Sequence, residues 1–378
     1  MTSLNNHLKQ RRGNAGLSQQ VLASRAGISR QAYSALESGK AVPSTEVALR
    51  LARALGTRVD FLFFLAEQPT EVIEAELVGV SGDSVAPGLD GPQRVRLLRV
   101  GRRLLARPLA GPVTARDALV DAEGVIVPAS PDGHRVTVRP FDADELDGAA
   151  IGMLGCDPAV ALLEPGLRRY GVKLVWTEES SYQALSGLAL GEAHVAGCHL
   201  KDEATGLFNI SWVQQVVPFA CTLVTFAAWR QGLIVAPNNP IGIRAIEDLT
   251  APRVTIVNRQ TGSGSRSLLD RLMREQGIPA TALTGYEREA GGHMAVARAV
   301  AAGVADAGVG VQAAASALGL GFVMLEEERY DLVIPDHLLD EPGVQALLDL
   351  LQRPGLRRRV EALGGYDASQ MGAPVASI

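Results

Sequence analysis

The stretch VTIVNRQTGSGSRSLLDRL, residues 254–272, passes from a β-branched apolar run through a turn of glycines and hydroxyls into a helical pattern. Two glycines and three hydroxyl side chains fall within residues 261–265, and Leu268, Leu269 and Leu272 follow at helical spacing. A strand that turns directly into a helix collects unpaired amide N–H groups and the positive end of the helix dipole. Two interpretations of this loop stay open, an anion-binding site and a plain tight turn.

The same loop lacks two motifs of nucleotide-binding and catalytic proteins. No Gly-Lys-Ser/Thr ending follows its glycines, so we do not expect a Walker A loop. It also lacks the Gly-x-Ser-x-Gly order of a nucleophile elbow, and no Ser/His/Asp constellation with a recognisable signature occurs elsewhere. Cys156, Cys198, His194 and His199 do not have the paired spacings of zinc ligands. We therefore predict no enzymatic activity, no metal site and no cofactor.

The segments around this loop divide the chain into three parts. Residues 148–378 alternate strand-like and helix-like runs, which predicts an α/β domain with a mainly parallel sheet. Residues 67–147 carry short alternating runs between Gly, Pro and Asp clusters, which predict a β-rich connecting segment. Residues 1–66 have the pattern of short helices. The chain is therefore predicted to be multidomain.

The first 66 residues have the spacing of a helix-turn-helix. We predict a first helix over residues 4–12 and later helices that each begin after a serine, a favoured N-cap residue. The predicted caps are Ser18, Ser29 and Ser44. Gly27 separates the second helix from the third, as the tight turn of this motif requires.

Charge and composition restrict the partners of each part. Residues 1–66 hold nine Lys and Arg against three Asp and Glu, whereas the remaining residues hold 27 against 38. A basic head on an acidic body indicates that only the head faces a polyanion. Three scattered cysteines are typical of a reducing compartment, and the longest apolar stretch, residues 216–229, is too short to span a bilayer. We expect a cytoplasmic protein with no membrane partner.

Several motifs resemble known families. The runs GEAHVAGCHLKDEATGLFN, GLIVAPNNPIGI, NRQTGSGSRSLLDRL, ADAGVG and ERYDLVIP are similar to the PBP-like domain of bacterial regulators and of fusions to molybdopterin biosynthesis enzymes. More distantly, residues 148–378 resemble the two-lobed type II periplasmic-binding proteins for molybdate and tungstate. Residues 1–66 resemble the XRE/Cro class of helix-turn-helix. Together the parts look like a one-component transcription regulator.

The resemblance to the oxyanion-binding proteins implies ligand contacts at two turns in each lobe. The residues implied by position are Cys156, Asp157, Ser180, Ser181, Ser263, Gly264, Ser265, Arg266, Gly292 and His293, and His199 is a further candidate for a ligand contact. Asp157 departs from those proteins, and it either caps the helix begun by Pro158 or accepts a proton from the ligand. His199 and Lys201 face either the cleft or solvent, and residues 326–329, EEER, are predicted to be a solvated face.

The resemblance to XRE/Cro proteins implies DNA contacts at the start of the second and third helices. The residues concerned are Gln19, Ser29, Arg30, Gln31 and Ser34. Arg and Gln side chains at such positions can pair bidentately with base edges in the major groove.

These expectations combine into a regulator that binds operator DNA as a homodimer or higher oligomer and senses a small oxyanion. Molybdate or tungstate is the first candidate ligand, and a molybdopterin-type or other small anionic metabolite is the second. Two further readings stay open: an enzyme of molybdenum-cofactor metabolism with a DNA-binding head, and a module that only stores the anion.

Overall fold

The chain divides into two compact units, Met1–Glu71 and Val72–Ile378. A computed structural model describes residues 4–65, 72–79, 93–109, 121–127, 135–142, 146 and 148–378. The first unit is called the head below. Within the second unit, the strands between residues 72 and 142 are called the barrel, and residues 148–378 are called the body.

The head consists of short helices around one apolar core. Its elements are β1 (Leu4–Asn6), α1 (Leu8–Asn14), α2 (Gln19–Arg25), α3 (Arg30–Glu37), α4 (Thr45–Ala54), a 3-10 turn (Val59–Phe61) and β2 (Phe63–Leu65). The predicted serine caps are present, because each hydroxyl oxygen accepts the amide N–H three residues further on. Gly27 ends α2 at φ +70°, which glycine adopts without strain. Leu22, Tyr33 and Leu51 are fully buried in the core.

The predicted first helix over residues 4–12 is wrong at its start. Leu4–Asn6 is a strand that pairs antiparallel with Phe63–Leu65, and α1 begins only at Leu8. Asn6 stabilises the transition from β1 to α1. Its Oδ1 accepts the Leu8 amide at 3.1 Å, and its Nδ2 donates to the Leu36 carbonyl at 3.0 Å. The pairing closes the two ends of the head against each other.

The barrel is a small closed sheet. Its strands are β3 (Ile73–Leu77), β4 (Arg94–Val100), β5 (Arg103–Pro108), β6 (Gly124–Ile126) and β7 (Arg135–Pro140), in the order β3-β5-β4-β6-β7. Two arginines of β5 fix it to the body. Arg103 Nη1 donates to the Leu190 carbonyl at 2.7 Å, and Arg107 Nη2 pairs with Glu192 at 2.8 Å. The described part of the connecting segment is therefore β-rich and packed on the body.

The body is an α/β domain with most of its helices outside one large sheet. Its strands are β8 (Ala150–Leu154), β9 (Lys173–Thr177), β10 (Val195–Cys198), β11 (Cys221–Val235), β12 (Asn258–Arg259), β13 (Glu289–Ala290), β14 (Ala307–Val311), β15 (Gly321–Pro335), β16 (Tyr366–Asp367) and β17 (Pro374–Ser377). Its α-helices are α5 (Glu164–Arg169), α6 (Ser181–Ala189), α7 (Ile210–Val216), α8 (Gly264–Glu275), α9 (His293–Ala301), α10 (Gln312–Ala317), α11 (Pro342–Leu351) and α12 (Pro354–Glu361).

The large sheet is mixed, so the prediction of a mainly parallel sheet is wrong. Its order is β14-β11-β15-β10-β8-β9, and only the β10-β8 and β8-β9 pairs on this path are parallel. β11 and β15 are each 15 residues long and pair antiparallel along their length. β11 is buried along most of its length, so its sequence lacks the alternation of apolar and polar residues that marks a half-exposed strand.

The two long strands connect the two lobes of the body. The first lobe contains β8, β9, β10, α5 and α6, and the second contains β12, β13, β14, α8 and α9. β15 pairs with β10 through Asp331–Val333, whereas β11 pairs with β14 through Gln231–Val235. Among the described residues, no helix is long and apolar enough to cross a membrane.

Candidate functional site

The amino-terminal ends of α6, α8 and α9 lie at the boundary between the two lobes. The Tyr182 amide in α6 donates to the Gly262 carbonyl at 3.3 Å. A side chain on Gly264 would meet the His199 ring at 2.4 Å, and one on Gly292 would meet the Glu178 carboxylate at 1.7 Å. Glycine at both positions therefore allows the lobes to approach each other.

His199 is the central side chain of this boundary. It follows β10, is fully buried, and its Nδ1 lies 2.7 Å from Glu328 Oε2 on β15. The same carboxylate oxygen accepts hydrogen bonds from Gln231 Nε2 at 2.7 Å and Trp229 Nε1 at 3.3 Å, both on β11. Burial alone lowers the pKa of His199, but Cys156 and Glu328 outweigh it and raise the pKa to about 10. The ring is therefore an imidazolium at neutral pH, and its Nε2 carries a hydrogen.

His199 belongs to a buried cluster whose other members are Cys156, Arg259 and His293. Arg259 lies on β12 and is fully buried, and its Nη1 lies 3.2 Å from His293 Nδ1 in the first turn of α9. Because a guanidinium only donates, His293 Nδ1 must be the acceptor, and its hydrogen is on Nε2. Burial, Arg259 and His199 hold the pKa of His293 well below its usual range, so this ring stays neutral.

Three buried N–H groups in this cluster lack a nitrogen or oxygen acceptor among the described residues, and the Cys156 sulfur is the partner of His199 and Arg259. His199 Nε2, His293 Nε2 and Arg259 Nη2 make no hydrogen bond to a nitrogen or oxygen within the described ranges. Leaving a buried donor unpaired costs about 1–3 kcal/mol, and native proteins avoid it. Two of the three groups belong to cations. The arrangement is therefore suited to receiving an anion.

Cys156 completes the cluster, and its geometry raises the question of a metal. Its Sγ and one ring nitrogen each of His199 and His293 lie within 4.8 Å of one another, and all three side chains are buried. A metal requires an unprotonated ring nitrogen. The Nδ1 atoms of both rings are occupied, by Glu328 and Arg259, and both Nε2 atoms carry hydrogens. The hydrogen-bond partners thus favour an anion over a metal ion.

The predicted serines lie around the cluster, but their hydroxyls are used within the protein. Ser263 caps α8 and donates to the Gln260 carbonyl at 2.8 Å, and Ser265 donates to Gln231 Oε1 at 2.9 Å. Ser180 caps α6 in a capping box, and Ser181 Oγ accepts the His199 amide at 3.2 Å. These four serines hold the helix ends and His199 in place.

Arg266 is engaged with other groups than the four side chains of the cluster, and its Nη1 donates to the Arg259 backbone carbonyl at 3.2 Å. Its guanidinium lies 4.1 Å from the centre of the Tyr286 ring, and its side chain forms ion pairs with Asp270 at 3.3 Å and Glu289 at 3.6 Å. The arginine of the cluster is Arg259, which the family resemblance does not imply.

Asp157 caps a short 3-10 helix, Pro158–Leu163, as one of the two sequence interpretations requires. Its Oδ1 accepts the Ala159 amide at 2.8 Å and the Tyr366 hydroxyl at 2.5 Å. Burial raises the pKa of Asp157 to about 6, although the hydrogen bonds from Tyr366 and Ala159 oppose this shift.

The prediction that EEER is a solvated face is wrong for two of its glutamates. Glu328 is 4% exposed and accepts three hydrogen bonds in the cluster. Glu326 pairs with Lys201 and with Arg271 of α8, so it joins the two lobes. Alternate side chains of a strand face opposite sides, so Glu326 and Glu328 lie on one face of β15 and the exposed Glu327 lies on the other.

The predicted DNA contacts occupy an exposed face of the head. Arg30, Gln31 and Ser34 are exposed on α3, and Ser29 caps this helix through the Ala32 amide at 3.1 Å. Gln19 is half-buried and donates to Glu37 on α3, so its amide also holds α2 against α3.

Known families match both units of this structure. A helix-turn-helix family matches residues 8–62, and the PBP superfamily domain matches residues 166–352. The chain is 34% identical to the HTH-type transcriptional regulator YgzD of Bacillus subtilis over 65 residues, which cover 17% of this chain and 98% of YgzD. The chain belongs to the XRE-type helix-turn-helix regulators and carries a PBP-like domain.

Two further similarities concern the body of this regulator. It is 30% identical to YvgK of Bacillus subtilis over 215 residues, which cover 56% of this chain and 66% of YvgK. It also resembles the structure of the tungstate ABC transporter from Geobacter sulfurreducens, at 15% identity and a TM-score of 0.44, over 58% of this chain and all of that one. From the family matches, the regulator combines a helix-turn-helix head with a PBP-like ligand-binding domain.

Proposed function

We propose that this regulator binds a small oxyanion in the cluster of Cys156, His199, Arg259 and His293, and binds operator DNA through α3. Molybdate and tungstate are the first candidate ligands. The observation that carries the proposal is the set of three buried N–H donors, two of them on cations, that meet no nitrogen or oxygen acceptor in the described part of the chain. The proposed role is regulatory and takes place in the cytoplasm, where the operator lies.

The charges of the cluster support an anion of low net charge. His199 is paired with the buried carboxylate of Glu328, so this pair is neutral as a unit. Arg259 contributes the remaining buried positive charge of the cluster. The carboxylate of Glu178 opposes this charge, but only partly, because Glu178 is half-buried and water screens it. The neutral donors on His293 and on the helix ends add hydrogen bonds without adding charge.

We expect oxyanions to raise the melting temperature of the body. A ligand present at about 100 times its dissociation constant adds about 2.7 kcal/mol to the stability of the state that binds it. Thermal unfolding of the full chain with molybdate, tungstate, sulfate or phosphate measures this, with chloride at equal ionic strength as the control. Melting that none of the four anions changes would exclude the inorganic-oxyanion proposal.

A second candidate ligand, an organic anion of molybdopterin type, is favoured by a neighbouring cavity. This cavity has a volume of about 410 Å³ and borders the cluster at His199, Gly264 and Glu328. Its lining includes Lys201 and Arg271, which both pair with Glu326, together with Arg274 and four further carboxylates. Volumes of about 300–1,000 Å³ are typical of sites for organic ligands. Stabilisation by pterin-6-carboxylate but by no inorganic oxyanion would move this candidate to first place.

We expect Gln31→Ala to weaken operator binding by about 1–3 kcal/mol and to relax base preference at one position, because Gln pairs bidentately with adenine. Gln31 is exposed on α3 and lies outside the apolar core of the head. Binding of the full chain to a selected operator, compared with single-base variants of it, measures both effects. Gln10→Ala, on the exposed face of α1, is the matched control. Equal losses in both variants would contradict a specific role for Gln31.

Ligand and DNA binding are coupled, in this proposal, through closure of the lobes. One helix-turn-helix reads few base pairs, so we propose that the regulator binds its operator as a homodimer. The anion shifts the equilibrium between open and closed lobes by its differential affinity for the two states.

A further inference from the structure

The sulfur of Cys156 lies against both cationic side chains of the cluster, His199 and Arg259. It lies at the end of β8, is fully buried, and is within 4.8 Å of one ring nitrogen each of His199 and His293. The other two cysteines, Cys198 and Cys221, are also buried and free, but neither belongs to this three-residue group. A sulfur nucleophile is thus placed among the unpaired N–H donors.

We propose that Cys156 binds the oxyanion covalently through its sulfur and thereby selects molybdate and tungstate over sulfate and phosphate. This inference rests on the proposed function and specifies its ligand. Molybdate and tungstate exchange an oxo group for thiolate sulfur, because their central atoms accept a new ligand easily. Sulfate and phosphate do not exchange in this way under the same conditions.

The step balances without an oxidant or reductant. MoO₄²⁻, the Cys156 thiol and one proton from solvent give the S-bound MoO₃⁻ group and one water molecule. The Sγ–Mo bond forms, one Mo–O bond breaks, and the departing oxygen takes the thiol proton and the solvent proton. Molybdenum keeps its oxidation state.

The product fits the charge and the donors of the cluster better than free molybdate. Bond formation lowers the charge of the ligand from two negative charges to one. Within the described cluster, Glu328 pairs with His199, whereas no buried carboxylate pairs with Arg259. The three remaining oxygens equal in number the three unpaired donors, on His199, His293 and Arg259. Buried anions are stabilised when each acceptor meets a donor.

The test adds molybdate, tungstate, sulfate or phosphate to the full-length wild-type chain and to Cys156→Ser. We expect a sulfur-to-molybdenum charge-transfer absorption band in the wild type and none in Cys156→Ser. We also expect molybdate affinity to fall by at least about tenfold in Cys156→Ser, and sulfate affinity to fall by clearly less. Cys221→Ser is the control. It removes a buried thiol at the start of β11, outside the cluster, and should keep the band.

Each other outcome gives a separate answer. Equal molybdate affinity in wild type and Cys156→Ser, with no band, would overturn the inference and leave the oxyanion proposal standing. Absence of binding for all four anions in the wild type would overturn both. If Cys156→Ser does not fold, X-ray absorption at the molybdenum edge of the wild-type complex decides, since a shell of oxygen without sulfur contradicts the Sγ–Mo bond.

Discussion

Arg259→Met is expected to lower oxyanion affinity by about 100-fold, because a hydrogen bond to a charged group contributes about 1.5–3 kcal/mol and the buried positive charge is lost with it. Arg259 is fully buried, and its Nη2 has no nitrogen or oxygen acceptor in the described part of the chain. Methionine keeps much of the apolar stem. Trp229 lies against both His199 and His293, with ring centres 4.8 and 5.3 Å away, so its fluorescence can follow the titration.

Arg266→Met is the matched control for this experiment. Arg266 is seven residues further along the same strand-turn-helix unit, but it pairs with Asp270 and Glu289 and stacks on Tyr286. We expect its replacement to lower stability and to leave affinity within about threefold, since its charge does not face the cluster. A larger loss of affinity in Arg266→Met than in Arg259→Met would assign the ligand to the motif-derived position instead.

The positions of helix starts were predictable because they depend on neighbouring residues. The caps Ser18, Ser29 and Ser44 are present where the sequence placed them, as are the glycine-rich turn before α8 and the Asp157 cap. A cap residue and the amide that it accepts are three residues apart, so a local pattern contains both. The helix-turn-helix and the α/β character of the body were predicted on the same basis.

The composition of the cluster was not predictable in this way. Arg259, Gln231 and Glu328 come from β12, β11 and β15, which are far apart in sequence and meet only in the folded body. An arginine next to a turn is usually exposed, and three consecutive glutamates usually face water. Both expectations fail because each group meets a buried partner: Glu328 pairs with His199, and Arg259 donates to His293. The same holds for β1, whose partner strand lies at the other end of the head.

The hydrogen-bond acceptors of the hydroxyls in the QTGSGSR loop were also not predictable from the sequence. Ser263 and Ser265 were predicted to donate to the ligand, but both donate to acceptors within the protein. A motif gives the residue type at a turn, whereas the direction of a hydroxyl depends on acceptors that arrive from other strands. Here Gln231 of β11 supplies the acceptor for Ser265, and the free donors come from imidazole and guanidinium groups instead.

Glu328→Gln is expected to destabilise the body by about 3–5 kcal/mol at pH 6, because it breaks a buried charge pair and leaves the other charge without compensation. The wild-type carboxylate accepts hydrogen bonds from His199, Gln231 and Trp229. The glutamine amide is uncharged, so it cannot neutralise the His199 imidazolium. All three tryptophans, Trp176, Trp212 and Trp229, lie in the body, so fluorescence during urea unfolding reports on that unit.

The pH dependence of this difference distinguishes the ion pair from a simple packing defect. The folded pKa of His199 is raised from 6.5 to about 10, through Cys156 and Glu328 against the opposing effect of burial. A raised pKa stabilises the folded state fully below about pH 6.5, and this contribution is lost as pH rises to about 10. The free-energy difference between wild type and Glu328→Gln should therefore shrink between pH 6.5 and 10. Glu327→Gln, at the exposed neighbouring position, corrects for every other titrating group. A difference that stays constant over this range would mean that His199 is neutral, and its Nε2 would then be an acceptor rather than a donor for an anion.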